Sequence, residues 1–156
     1  MCIRDRAWVV LFVASPVTFA LLLWSGRHAQ PPPGDSRVYP AARAVLAALG
    51  AAFAGLAVWF WVSTSGPVPF EVAPLGARFL AAWLAFFAVL AAWPAVRPAR
   101  SEARVPLLAL IAYGIGGLLA AAVHPEDLGP GVGGYLAGLL IVVAVPALVL
   151  ARGARG

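Results

Sequence analysis

Five long apolar runs dominate this sequence and constrain its fold more than any other feature. Each run is 18 to 22 residues long. An α-helix rises about 1.5 Å per residue, so about 20 residues cross the roughly 30 Å hydrocarbon core of a bilayer. Lipid offers the backbone no hydrogen-bond partner, and a helix satisfies its own backbone. The runs are 7–24, 41–62, 75–93, 105–123 and 132–151.

These runs predict an all-α protein, a polytopic transmembrane bundle of about five spanning helices. They form one membrane domain at 7–151, followed by a short basic tail at 152–156. The chain is 63% hydrophobic and 11% charged, whereas about 25% of residues are charged in an ordinary soluble domain. A small soluble domain buries only about two-thirds of its chain surface. The surplus apolar surface must therefore face the lipid bilayer, which is the first predicted partner.

The arginines indicate which way the chain faces. The net charge is +5 without any lysine, and the arginines cluster in alternate gaps between the apolar runs. We interpret them as topology signals, and we expect no nucleic-acid partner. The positive-inside rule puts the loops near 25–40 and 94–104 and the C-terminus in the cytoplasm. The eight arginines concerned are Arg27, Arg37, Arg43, Arg97, Arg100, Arg104, Arg152 and Arg155.

The first six residues, Met1 to Arg6, resemble a translated sequencing adaptor. We therefore exclude residues 1–6 from the fold and expect a native N-terminus further upstream. The alternative is a secretory signal, in which Arg4 and Arg6 precede the apolar run at 7–24. That run is long for a signal, and no small-x-small cleavage site follows it directly.

Arg78 and Glu71 are the charged candidates next to a predicted span. A charge within a span is a functional hypothesis by default. Arg78 lies three residues past Leu75, however, so its side chain can reach the interface by snorkelling. Glu71 lies seven residues before Arg78 and is a candidate partner for it. Arg78 and Glu71 are thus predicted as an anchoring pair, with a functional site as the alternative.

Tyr113 is the candidate polar group in the middle of a span, where its hydroxyl needs a partner. Apart from Arg78, no Asp, Glu, Lys, Arg or His lies well inside a run. Coupled transporters and intramembrane hydrolases use such groups, so we expect no catalytic residues and no cofactor. His124, Glu126 and Asp127 are three potential metal ligands in one loop. No second cluster completes a coordination sphere, and we predict no metal site.

Glycines mark the expected helix contacts. Small residues let helix backbones approach closely in lipid, where the hydrophobic effect does not drive packing. The pattern predicts helix packing within the chain or with a second copy or another membrane protein. The glycines concerned are Gly50 and Gly55 in the second run, Gly114 and Gly117 in the fourth, and Gly134 and Gly138 in the fifth.

One stretch of the sequence also carries a family resemblance. The segment 68–83, VPFEVAPLGARFLAAW, resembles a Pro-Leu-Thr-Ala-Arg pattern that opens a helix in uncharacterised actinobacterial multi-pass membrane proteins. The similarity extends to the C-terminus, and Gly76 stands where the family often has Thr. The resemblance implies a bacterial plasma membrane and six or more helices, without implying an activity. The abundance of Ala, Gly, Pro and Arg agrees with a high-GC bacterial genome.

Three functions remain open at this point. The first is a structural or accessory component whose helices pack with themselves or with a partner. The second is a small-solute transporter or a permease-like fragment, in which Pro16 and Pro146 kink two helices as transporter helices are often kinked. The third is an intramembrane enzyme, which we rank last because the spans lack a polar catalytic set.

Overall fold

A computed structural model describes residues 32, 34–63, 68 and 73–152 of the chain. Its four α-helices are each long and apolar enough to cross a membrane. The predicted all-α transmembrane bundle is thereby confirmed, with four spanning helices in the described residues. The run at 7–24, predicted as a fifth span, lies outside them, as do residues 1–6. The helices are α1 Pro40–Val62, α2 Pro74–Val96, α3 Arg100–Val123 and α4 Val132–Arg152, and a 3₁₀ turn at Pro125–Asp127 precedes α4.

Prolines begin two of the helices, and another proline lies inside α2. Pro40 and Pro74 occupy the first turns of α1 and α2, where the missing N–H would have no helical partner in any case. We expected α2 to end at residue 93, before Pro94, but the helix continues to Val96. Proline removes one backbone bond without unwinding the turns that follow it. The helix ends only where Pro98 disfavours helical geometry at the residue before it.

Helix α3 begins at Arg100, five residues before the apolar run that predicted it. Hydropathy marks where a segment leaves the hydrocarbon, whereas a helix continues for as long as its backbone bonds are satisfied. The first turn of α3 carries Glu102, and an acidic side chain is favourable at the positive end of the helix dipole. The charged first turn therefore extends the helix beyond the apolar core.

The helices run up and down, so that consecutive helices are antiparallel. The start of α1, the end of α2, the start of α3 and the end of α4 meet at one end of the bundle, which we call the arginine end. Its core contains Leu46 from α1, Leu107 from α3 and Val149 from α4. The end of α1 meets the start of α2 at the other end, where Phe60 packs with Ala77. Helix α1 packs chiefly on α2, and α3 packs chiefly on α4.

The outward surfaces of all four helices are apolar. Only 17 to 28% of each spanning window is buried inside the bundle. Large apolar side chains such as Val62, Leu75 and Val96 are at least 77% exposed. A soluble bundle would place polar side chains on such faces. The described helices therefore present hydrocarbon to their surroundings, as membrane-embedded helices do.

Candidate functional site

Tyr113 lies near the middle of α3 in an aromatic cluster, and its side chain is 42% exposed. Its ring stacks on Trp83 of α2, with ring centroids 5.6 Å apart and planes 23° apart. The centroid of the Tyr113 ring also lies 4.1 Å from that of Phe87, which follows Trp83 by one turn of α2. Phe53 of α1 lies 5.8 Å from Phe87 and joins α1 to the cluster. Aromatic rings of α2 thus contact one side of Tyr113, where a polar cavity would have indicated a solute path.

The charged candidate Arg78 lies in the first turns of α2, and it is exposed. This position agrees with a side chain that reaches the interface from the end of its helix. The predicted partner Glu71 lies outside the described residues, so their pairing stays a prediction. Among the residues that the structure describes, no polar or charged side chain is buried.

The six candidate glycines divide into two groups of three. Gly50, Gly114 and Gly117 lie at contacts between helices. A Cβ added at Gly50 would lie 3.0 Å from the carbonyl oxygen of Ala88, and one at Gly114 would lie 2.6 Å from Val143 Cγ2. These glycines bring α1 close to α2, and α3 close to α4.

The other three candidate glycines face away from the described helices. A Cβ added at Gly55, Gly134 or Gly138 would meet nothing within 4 Å. Gly134 and Gly138 are one turn apart on α4, so both lie on the same face of that helix. The same test finds open space at Gly116 on α3. Half of the predicted packing positions are therefore used within the chain, and half lie on open surface.

The arginine end is held together by backbone bonds between its two loops. Arg37 and Ala99 form an isolated antiparallel bridge. The Val38 N–H donates to the Pro98 carbonyl at 2.8 Å, and the Arg100 N–H donates to the Ser36 carbonyl at 3.0 Å. The pairing of these two loops fixes the start of α1 against the start of α3.

Asp35 supplies the N-terminal cap that α3 lacks in its own sequence. The residue before α3 is Ala99, which has no side-chain acceptor. The Asp35 carboxylate accepts hydrogen bonds from the Ser101 hydroxyl at 2.7 Å and from the Ser101 N–H at 3.1 Å. The Ser101 hydroxyl and then its N–H hold the pKa of the Asp35 carboxyl below its ordinary value, with help from nearby Arg100.

Two arginines cap the C-terminal ends of helices at the same end of the bundle. Arg43 Nη2 donates to the Ala95 carbonyl of α2 at 2.7 Å. Arg100 Nη2 donates to the Leu150 carbonyl of α4 at 2.7 Å. Terminal carbonyls have no partner within their own helix, and they carry the negative end of its dipole. Arginines that sequence analysis interpreted only as topology signals thus also bind helix ends.

An Arg–Glu ion pair lies at the arginine end of the bundle, and a His–Glu contact lies at the other end. Arg97 Nη1 lies 3.5 Å from Glu102 Oε1 at the arginine end. His124 Nδ1 lies 3.6 Å from Glu126 Oε1 in the opposite loop, where both side chains are mostly exposed. In the described ranges, no three His, Cys, Asp or Glu residues form a group that could hold a metal ion.

Comparison with known proteins adds no homologue to this description. The chain matches no protein-family model, no curated protein and no solved structure.

Proposed function

We propose that this chain is a structural or accessory component of a bacterial plasma membrane, which acts through the packing of its helices. The observation that carries the proposal is the contact of Tyr113 with Trp83 and Phe87. A transporter of polar solutes needs polar groups around a path near the middle of the membrane. In this bundle the hydroxyl near mid-span belongs to Tyr113, whose ring contacts the rings of Trp83 and Phe87.

The orientation of the chain follows from the same proposal. The arginine end lies in the cytoplasm, because basic residues are retained on that side during insertion. The loop at Pro125–Asp127 then lies on the outer side. Arg78 is an anchor at the outer interface in this arrangement, and its exposure supports that role.

The open glycines indicate where a second membrane helix would pack. Gly134 and Gly138 leave room for close backbone approach on α4, and no described side chain fills that room. Helix association in lipid depends on such close approach. We propose that a second copy of the chain or another membrane protein contacts this face.

Disulfide cross-linking in native membranes tests the proposal directly. Gly138→Cys in the full chain, with Cys2→Ser to remove the native thiol, should give an oxidised product with the mass of two chains, or of this chain and one partner when that partner has a cysteine at the contact. The matched control is Gly116→Cys, another open glycine on a different helix. Gly138→Leu should weaken the association, and it should leave the fold intact because no described atom lies near its Cβ.

The outcomes separate the alternatives. Cross-linking at position 138 and not at 116, together with loss of association in Gly138→Leu, supports the accessory role. Monomers alone with cysteine at positions 55, 134 and 138, together with unchanged association in Gly138→Leu, contradict it. Saturable solute uptake by the purified chain in proteoliposomes would support the transporter alternative instead.

A further inference from the structure

A cavity opens at the arginine end, between the start of α1, the start of α3 and the end of α4. Its volume is about 210 Å³, well above the roughly 10–15 Å³ of cavity space that one water molecule needs. Its polar lining comes from Ser36, Arg37, Tyr39, Arg100 and Arg152. The residues around the cavity thus include three arginines and a tyrosine from three different parts of the chain.

The floor of the cavity is apolar and belongs to the bundle core. Ala103 and Leu107 of α3 and Val149 of α4 line it, and all three are at most 8% exposed. Leu107 lies seven residues inside α3, about 10 Å along a helix that rises 1.5 Å per residue. The cavity thus extends from the charged helix ends toward the apolar spans, at the depth where phospholipid headgroups meet their acyl chains.

The cavity carries an excess of positive charge. None of its lining residues is acidic. The Asp35 carboxylate lies near Arg100 and lowers the local charge by one, and its hydrogen bonds come from Ser101 and from the backbone of Ser36. Arg37, Arg100 and Arg152 together with the Asp35 carboxylate give a formal charge of +2 around the cavity. An anionic group is therefore the ligand that this site favours.

The guanidinium groups have more N–H donors than their observed hydrogen bonds use. A guanidinium has five N–H donors. Arg100 uses one on the Leu150 carbonyl, and Arg152 Nη1 lies 3.5 Å from the Tyr39 hydroxyl oxygen. The first N–H groups of α3 are already bonded to Ser36 and Asp35. Recognition of an anion thus depends on the arginine side chains, whose planar forks suit phosphate oxygens.

We propose that this cavity binds the phosphate group of an anionic phospholipid. The arginines and Tyr39 contact the headgroup, and the apolar floor contacts the start of the glycerol and acyl region. A phosphate at this depth is supplied by lipid, since the cavity lies among the ends of spanning helices. Basic pockets between transmembrane helices are a general means of holding anionic lipid headgroups. The proposal is independent of whether the protein is a transporter or an accessory component.

Lipid titration of the full chain in neutral detergent tests this site. The probes are short-chain phosphatidylglycerol, phosphatidylcholine with the same acyl chains, and inorganic phosphate, with binding measured by native mass spectrometry. Arg37→Gln and Arg152→Gln each remove one charge from an exposed residue of the cavity. Arg104→Gln is the matched control, because Arg104 is exposed on α3 at the same end and does not line the cavity.

We expect phosphatidylglycerol to bind more tightly than phosphatidylcholine. Arg37→Gln and Arg152→Gln should each weaken its binding about fivefold, which corresponds to about 1 kcal/mol per basic residue near an anionic lipid. Arg104→Gln should leave it unchanged, and the thermal midpoints without lipid should agree among all three variants.

Three results would overturn the proposal. The first is equal binding of the two lipids. The second is equal weakening by Arg104→Gln, which would show a diffuse attraction to the whole basic end. The third is displacement of bound phosphatidylglycerol by inorganic phosphate at equal concentration, which would assign the site to a soluble anion.

Discussion

The carboxylate of Asp35 accepts two hydrogen bonds from Ser101, which lies 66 positions later in the chain. This contact closes the first turn of α3 with a side chain from another loop. It also joins the residues before α1 to the start of α3, next to the apolar cluster that contains Val38 and Ala103. The cap is exposed, so its strength should depend on pH and on the charge of Asp35.

Asp35→Ala should lower the thermal midpoint of the protein in detergent, because two donors at the start of α3 lose their acceptor. Asn can also cap a helix, so Asp35→Asn should retain more stability than Asp35→Ala. The measurement is thermal unfolding of the three proteins at neutral pH. Equal midpoints for wild type and Asp35→Ala would contradict the capping role.

The same cap predicts a pH dependence with a definite sign. The pKa of Asp35 is lower in the folded state than its ordinary value, which is about 3.9 in unfolded chains. Its stabilising contribution is therefore complete well above pH 3.9 and is lost as the pH falls through the folded-state pKa. The difference in thermal midpoint between wild type and Asp35→Asn should shrink as the pH falls below about 4. A difference that stayed constant or grew would be inconsistent with the lowered pKa.

Gly114 should tolerate a methyl group poorly. A Cβ there would lie 2.6 Å from Val143 Cγ2 and 3.3 Å from the Leu139 carbonyl oxygen. The first atom belongs to a stiff β-branched side chain and the second to backbone. We expect Gly114→Ala to lose about 1 to 3 kcal/mol of stability.

The matched control is Gly116→Ala, two residues along the same helix in open space. It should be neutral or stabilising by up to about 1 kcal/mol, because alanine favours helices over glycine. Denaturation of both variants in detergent measures the difference. A Gly114→Ala variant as stable as Gly116→Ala would show that α3 and α4 are not in close contact at this point.

Arg43 should stabilise the end of α2 through its bond to the Ala95 carbonyl. Arg43→Met retains an apolar stem of similar length and loses the donors. We expect this variant to unfold more easily by about 1 kcal/mol. Arg104→Met is the control, since Arg104 is exposed at the same end. If both variants lost the same stability, the effect would arise from net charge and not from the cap.

Tyr113 should contribute through its ring more than through its hydroxyl. Tyr113→Phe keeps the stacking on Trp83 and Phe87 and should change the stability by less than about 0.5 kcal/mol, below the usual value of one aromatic pair. Tyr113→Ala removes both ring contacts and should lose about 1 to 3 kcal/mol. Unfolding in detergent measures both. A Tyr113→Phe variant as unstable as Tyr113→Ala would place a required polar contact on the hydroxyl.

Hydropathy was sufficient to predict the fold class. Because few backbone structures are stable in lipid, the length and polarity of each apolar run were almost enough to predict that α1 to α4 are helices. Helix ends were harder, since α2 continues through Pro94 and α3 begins before its apolar run. In both cases backbone hydrogen bonding, and not the local composition, determines where the helix begins or ends.

The contacts of the candidate residues could not be predicted in the same way. The pattern marks Gly114 and Gly138 equally as small residues, but the packing partner of each depends on how the helices are rotated against one another. The bond between Asp35 and Ser101 joins loops that are distant in sequence, and no local pattern encodes it. Asp35 lies among loop residues, and its local sequence predicts only a turn.

The central claim is that the described helices cross a membrane, with the arginine end on the cytoplasmic side. Single cysteines at Ser36 and Glu126, both exposed and at opposite ends of the bundle, test it in a Cys2→Ser background. A membrane-impermeant maleimide should label position 126 in intact cells and position 36 only after permeabilisation. Labelling of both positions from the same side would contradict the spanning bundle, and labelling of position 36 alone in intact cells would reverse its orientation.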